Sequence, residues 1–394
     1  MSRQLLVAGG GIAGLASALA ATRGGWHAHV FEQAPALSEV GAGLQLGPNA
    51  TRGLADWGLL ARVREAACAP QRLVSREAAD GRELASLALG RAFEAAYGAP
   101  YLCIHRADLQ AALLGAVQAA GVCVHAGQRV TGLTQTAEAV RLSGLGAEAT
   151  EGDAAVAADG LWSLLREQLL GDGPPRASDH VAYRALVPLS QLPARWRAPE
   201  VSAWLGPRLH AVTYPVRGGE ALNIVCVVQQ PVEGERTGWD HPAAAARVRS
   251  AVADLAGPLR ELFEAVPSWG FWVLHDRPPV AGPGGMAVGR TALLGDAAHP
   301  MRPYLAQGAA MALEDAFELA RVLGAVRERV MDVPTALQRY ALNRWQRCAR
   351  VQRRSLRNAT IFHAQGALRL GRNLALRGLG GRLMDVPWLY GGAV

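Results

Sequence analysis

The order of hydrophobic patterns predicts an α/β chain: a doubly wound domain with an antiparallel-sheet region inserted into it and helices at the C-terminal end. Three observations predict this. An apolar run leads into VAGGGIAGLASALA, where Gly9, Gly11 and Gly14 open an Ala-rich helix. Between residues 179 and 280 the character changes to Pro-punctuated alternating segments such as AWLGPRLHAVTYPV and ALNIVCVVQQPV. After residue 291 a buried-strand pattern and long helical patterns return.

The opening unit is the most specific. Gly9 makes the tight strand-to-helix turn, Gly11 lets backbone N–H groups approach a pyrophosphate, and Gly14 lets helix and strand pack closely. The helix N-terminus then offers its partial positive charge to phosphates. Glu32, eighteen residues past Gly14, ends the next apolar run, HAHVFE, and is placed to accept hydrogen bonds from a ribose diol. Strand, glycines, helix, second strand and terminal acid together specify an adenine dinucleotide site of Rossmann type.

The chain of 394 residues, half of them hydrophobic, is long enough for two domains sharing an interface. All 40 basic residues are arginine and the net charge is +7. They scatter until RWQRCARVQRRSLRN, which reads as a solvated face or an interface between copies, with no nucleic-acid binding expected. Cys68, Cys103, Cys123, Cys226 and Cys348 show no C-x-x-C spacing and read as buried reduced thiols of a cytoplasmic protein. The uncharged stretch 5–22 mimics a signal peptide, but its glycine spacing and the strand that follows argue against that, and against a membrane span.

Along the chain, QAPALSEVGAGLQLGPNA reads as a functional loop, 50–60 as a helix, and 73–87 as short strands. Residues 106–120 read as a helix, and 122–124, 129–134 and 139–142 as short strands. Residues 154–158 form a buried strand ending at Asp159-Gly160, and 291–294 another ending at Gly295-Asp296. Long helices are expected over 309–326 and 334–355. Asp159, followed by LWSLLREQLL, reads equally as a helix cap and as a cofactor ligand. The run LLGDAAHPMRPYLAQGAAMALEDA is too long for a cap alone, and a helix starting near Gly308 would aim N–H groups at developing negative charge.

With HRADLQAAL and ADGLWSLLRE added, these motifs resemble the single-component FAD-dependent aromatic hydroxylases, the group A flavoprotein monooxygenases, over essentially the whole chain. GAGLQLGPNATRGL, YRALVP and HAVTYPVRGG are similar to the branch acting on salicylate, 3-hydroxybenzoate or 6-hydroxynicotinate. The resemblance implies a p-hydroxybenzoate hydroxylase-like fold. Its FAD-binding domain would comprise 1–71, 100–178 and 281–345, its substrate domain 72–99 and 179–280, and its C-terminal helical tail 346–394. FAD would be held by Gly9, Gly11, Gly14, Glu32, Gln45, Arg106, Asp159, Gly160, Asp296, Pro303 and Gly308, with NADH or NADPH binding transiently as co-substrate. Reduced flavin and O2 give a C4a-hydroperoxide whose distal oxygen attacks an electron-rich ring, so a base near the phenol is expected. His210 and Tyr214 match the positions with that role, and Gln307 is placed to hydrogen-bond substrate or flavin.

Tyr183, Arg184 and His105 are weaker candidates, Arg184 as the partner of an acid across the domain interface. His299 reads as structural. Three departures stand out: Ala157 for a glycine, Arg302 for an apolar residue, and Thr213 where relatives often carry a second histidine. No metal ligand set or nucleophile elbow is present. The expected partners are a small aromatic substrate and O2, without a membrane, and a homodimer through the Arg-rich helix is one reading of that segment. Two other functions stay open: hydroxylation or epoxidation of a larger ring, and flavin binding without turnover.

Overall fold

The computed structural model describes residues 3–37, 42–144, 150–231, 241–243, 245–253, 255 and 257–392. Residues 38–41 of the expected functional loop lie outside them. The first strand, Gln4–Ala8, is central to a six-stranded sheet ordered Ala287–Val288, Thr291–Leu293, Ala154–Ala157, Gln4–Ala8, His27–Glu32, Cys123–Ala126. Its neighbours run parallel apart from the hairpin Ala287–Val288/Thr291–Leu293. Leu5, Leu6 and Val7 are wholly buried, as a strand covered on both faces requires. The strands ending at Ala8, Ala157 and Leu293 bring Gly9, Asp159 and Asp296 to one edge of this sheet, where parallel α/β sheets place their ligands.

A second sheet has eight strands, ordered His241–Ala243, Trp269–Asp276, Arg176–Pro188, Ala221–Gln229, Leu209–Val216, Glu200–Gly206, Arg72–Glu77, Glu83–Ala88. The sequence predicts an antiparallel sheet over 179–280. The structure corrects this at one seam, because Glu200–Gly206 pairs parallel with Arg72–Glu77, the segment that arrives from far upstream. One face of this sheet packs on a core that includes Tyr183, Trp204, Ile224, Leu259 and Phe263. On the other face, His210, Val212, Val225 and Val227 line a cavity together with Gly9, Asp159 and Asp296.

Two local expectations also shift. The helix predicted over 50–60 splits into Pro48–Asp56 and Leu60–Ala66, because Gly58 takes φ +73° between them. The helix predicted over 334–355 runs on from Val333 to Phe362, through residue 345 without a break. Of the five cysteines, all free, Cys103, Cys226 and Cys348 are buried, but Cys68 is half-buried and Cys123 is exposed on an edge strand. No helix among the described residues is long and apolar enough to cross a membrane.

Candidate active site

At the glycine-rich turn, Gly9 takes φ +106° and a Cβ on it would stand 2.3 Å from the Ala158 carbonyl oxygen. Gly14 lies one helical turn on, where a Cβ would stand 1.8 Å from the Gly9 oxygen. Gly14 is therefore a packing residue and not part of the cavity wall, which is where its role departs from that of Gly9 and Gly11. The helix Ile12–Arg23 starts at Gly11 with no side-chain cap and no acid in its first turn, so its N–H groups are left for a ligand. Glu32 is held ready: its Oε2 accepts from Gly10 N at 2.7 Å and its Oε1 from Ala34 N at 2.7 Å.

Asp159 serves the helix that follows it. Its Oδ1 accepts from Ser163 Oγ at 2.6 Å and its Oδ2 from Leu165 N at 3.3 Å, while Ser163 caps Arg166 N. The cap reading of Asp159 and its place in the cavity wall thus coexist. Burial raises the pKa of its carboxyl and that of Asp296, the latter against the pull of Arg106 and His299. The helix Gly308–Arg327 also starts without a side-chain cap or an acid in its first turn. Just before it Ala306 takes φ +52°, a left-handed conformation that costs an L-residue about 1–2 kcal/mol.

A buried ion network holds this helix. His299 Nε2 meets Asp315 Oδ2 at 2.6 Å, Arg344 Nε donates to Asp315 Oδ1 at 2.8 Å, and Arg344 and Arg347 both donate to Glu314 Oε2, at 2.7 and 2.6 Å. Burial opposes ionisation here, yet the charges prevail, keeping the Asp315 and Glu314 carboxyls low and the His299 imidazole high. Of the basic run, Arg344 is therefore a core residue and Arg347 is partly buried. Asn49 Nδ2 bridges Glu314 Oε1 and Gln307 Oε1, at 2.7 and 3.0 Å, so the Gln307 oxygen is already engaged. The helix Val333–Phe362 also clips the loop before Gly308: Gln352, Ser355 and Asn358 donate to the carbonyls of Pro300, Arg302 and Tyr304.

On the facing sheet, the strand Leu209–Val216 alternates. His210, Val212 and Tyr214 point into the cavity beside Val225, Val227, Trp272 and Leu274. Thr213 points to the opposite face, where it accepts from Trp204 Nε1 at 3.2 Å, so its departure from relatives does not touch the cavity. Tyr183 also faces away, its hydroxyl accepting from Gln230. Arg184 lies over the Trp272 ring at 5.5 Å in a cation–π contact. His105 caps the helix Arg106–Ala119 through Nδ1. Arg302 lines the cavity with its Nε on Asp276 Oδ2 at 2.6 Å.

Tyr214 is kept protonated by burial and its hydroxyl meets Gln45. His210 is 1% exposed, and its Nδ1 lies 2.9 Å from Nε2 of His363. Burial, and then His363, hold the His210 imidazole well below its ordinary range. His363 ends the long C-terminal helix, 153 residues from its partner. Sequence reading missed it, since no local pattern marks it.

One cavity of about 620 Å³ runs from Gly9, Gly11 and Glu32, past Asp159, Gly160, Arg106 and Asp296, to Gln45, Pro303, Gln307, Gly308 and the His210 face. Apart from the adjoining backbone, no atom of the described residues lies within 4 Å of where a Cβ would stand on Gly160 or Gly308, both in this wall. Two uncapped helix starts, a pre-aimed ribose acid and open space above these glycines fit an extended dinucleotide with a planar head.

A dinucleotide cradle opening onto a second, sheet-walled chamber defines a flavoprotein oxidoreductase. The chain belongs to the FAD binding domain family, whose profile matches residues 2–355. It is an FAD-dependent monooxygenase. It is 38% identical over 392 residues to a 3-hydroxybenzoate 6-hydroxylase of Polaromonas naphthalenivorans, covering 98% of this chain and 95% of the relative. It is 34% identical over 360 residues to a 6-hydroxynicotinate 3-monooxygenase of Bordetella bronchiseptica, covering 91% and 92%. A solved salicylate hydroxylase substrate complex superposes with a TM-score of 0.82 at 26% identity, covering 99% of this chain and 95% of the other.

Proposed function

We infer that this monooxygenase hydroxylates a small phenolic or N-heteroaromatic carboxylate, using O2 and NADH or NADPH. The observation that carries the reading is the single cavity joining the cofactor cradle to the His210 face. When bound, FAD takes electrons from the nicotinamide donor and activates O2 so that one oxygen atom reaches the ring. Gly9, Gly11, Glu32, Arg106, Asp159, Gly160, Asp296 and Gly308 would hold it. The chain's own contribution is to position and to move a proton. His210, neutral and with Nδ1 turned to His363, presents Nε2 to the cavity, where it takes the proton of a phenol and makes the ring electron-rich. Val212, Val225, Val227 and Trp272 match an aromatic face and exclude water. Tyr214 and Gln307, each fixed by a side-chain partner, shape the polar rim. The same reading assigns the cofactor to the segments 1–71, 100–178 and 281–345, the substrate to 72–99 and 179–280, and the tail to 346–394. Cytoplasmic placement accords with the free cysteines.

The test is NADH and NADPH oxidation by FAD-loaded protein with and without 3-hydroxybenzoate, salicylate and 6-hydroxynicotinate, with product identification. Strong stimulation and stoichiometric hydroxylated product are expected. Equal slow oxidation throughout would reject the small-carboxylate reading and favour a larger ring or flavin binding without turnover.

A further inference from the structure

The facing nitrogens of His210 and His363, 2.9 Å apart, have room for one proton between them. If His210 is to offer a lone pair at Nε2, its own proton must sit on Nδ1 and be donated to His363 Nε2. The proton of His363 then lies on Nδ1, a buried atom with no hydrogen-bond partner among the described residues. An unpaired buried donor costs about 1–3 kcal/mol, so its retention asks for a reason. The backbone around His363 is fixed: its N–H donates to Ala359 O, and its carbonyl accepts from Arg208 N, in the turn that leads into the His210 strand. Its ring is 5.1 Å from that of His180, whose Nδ1 lies 2.7 Å from Asp179 Oδ1 on a side chain that is 58% exposed.

We propose that His363 is the proton acceptor behind His210, so that the two imidazoles act as one base that carries the phenol's proton from the cavity to the exposed Asp179–His180 edge. This rests on the phenol-hydroxylating reading above. In the first step the substrate O–H breaks and an N–H forms at His210 Nε2. In the second, His210 Nδ1–H breaks and an N–H forms at His363 Nε2. His363 then carries two protons, and the one on Nδ1 leaves to a water admitted from the Asp179 edge; both rings are then neutral with their protons on the opposite nitrogens, and the same transfers run in reverse reset them, with no electron transferred. The charges facing His363 suit a transient cation that must leave. Asp179 on the strand Arg176–Pro188 attracts it, while His180 on that strand, Arg302 in the loop and Arg372 in the helix Gly366–Leu379 repel it. Tyr304 adds a neutral wall. Burial and these cations push His363 down to about 3, so the pair rests neutral.

The decisive variant is His363→Gln, whose side-chain oxygen still accepts from His210 Nδ1 but cannot take up a proton. In the FAD-loaded enzyme with 3-hydroxybenzoate, kcat is expected to fall about tenfold or more with KM and FAD content near wild type. The ultraviolet titration of bound 3-hydroxybenzoate is expected to show phenol ionisation moved to higher pH. Wild-type kcat and an unmoved ionisation in this variant would overturn the proposal and leave His363 a purely positioning residue. Nitrogen-15 histidine spectra of the wild-type holoenzyme give a readout that needs no variant: on adding 3-hydroxybenzoate, His363 is expected to move its proton from Nδ1 to Nε2 together with His210, and a change confined to His210 would overturn the relay. If wild-type enzyme binds and turns over none of the small phenols, the functional reading falls by itself. If it turns them over and His363→Gln does so equally, the relay alone falls.

Discussion

The two ends of the cavity are made of different material. The cofactor end is backbone: glycines, helix starts and strand ends, with Glu32 and Asp159 both bound to main-chain N–H groups. The substrate end is side chain: His210, Val212, Tyr214, Val225, Val227 and Trp272 standing on one sheet face. A backbone site accepts little change, because altering it moves the chain. A side-chain site on a rigid sheet can be re-lined residue by residue, which lets one scaffold serve several aromatic substrates.

The largest effect should come from the backbone end. Gly14→Ala places a methyl 1.8 Å from the Gly9 oxygen, where only main-chain movement can relieve it. The cost should exceed about 3 kcal/mol and leave colourless or insoluble protein, read from flavin absorbance per chain and the melting temperature. If yellow, stable protein resulted, the contrast between the ends would collapse. His210→Ala should do the opposite, keeping FAD and the fold while kcat falls by about 100- to 10,000-fold with 3-hydroxybenzoate. Loss of flavin in that variant would show that the two ends are not separable.

Acid should act on the side-chain end next. His363 is neutral when folded, with its pKa lowered from 6.5 to about 3, while the unfolded chain binds a proton below 6.5. The unfolded state therefore holds more protons in that window, and stability falls as pH drops from about 6.5 towards 3, with no effect above it. At pH 5 the cost is about 2 kcal/mol for this one group. Denaturant unfolding of wild type and His363→Gln at pH 7 and 5 should show a smaller acid loss in the variant. The smallest effect is Val212→Ala, which enlarges the chamber. KM for 3-hydroxybenzoate should rise by about tenfold with flavin content unchanged.

The same contrast explains what could be read from the chain. The dinucleotide turn of the cofactor end is written within 32 residues, as a spacing of glycines, a helix and an acid, because each part acts on its sequence neighbours. Strand alternation also carried information: His210, Val212 and Tyr214 share a face by period two, and the same arithmetic puts Thr213 on the other side. What stayed hidden is non-local. The parallel seam between Glu200–Gly206 and Arg72–Glu77 and the pairing of His210 with His363 both join segments more than a hundred residues apart. The arginines turned inward onto Glu314 and Asp315 looked like surface charge, since nothing nearby in sequence shows which face of a long helix is covered.

The 30-residue helix Val333–Phe362 spans about 45 Å. Arg344 anchors it in its first half, three rungs at Gln352, Ser355 and Asn358 tie it to the loop before Gly308, and His363 sits at its tip. It therefore behaves as a ruler. Sliding it by a single residue rise of about 1.5 Å would break the rungs and pull the tip off His210 in the same movement, so the spacing between loop and His210 is a length set by this one rigid rod.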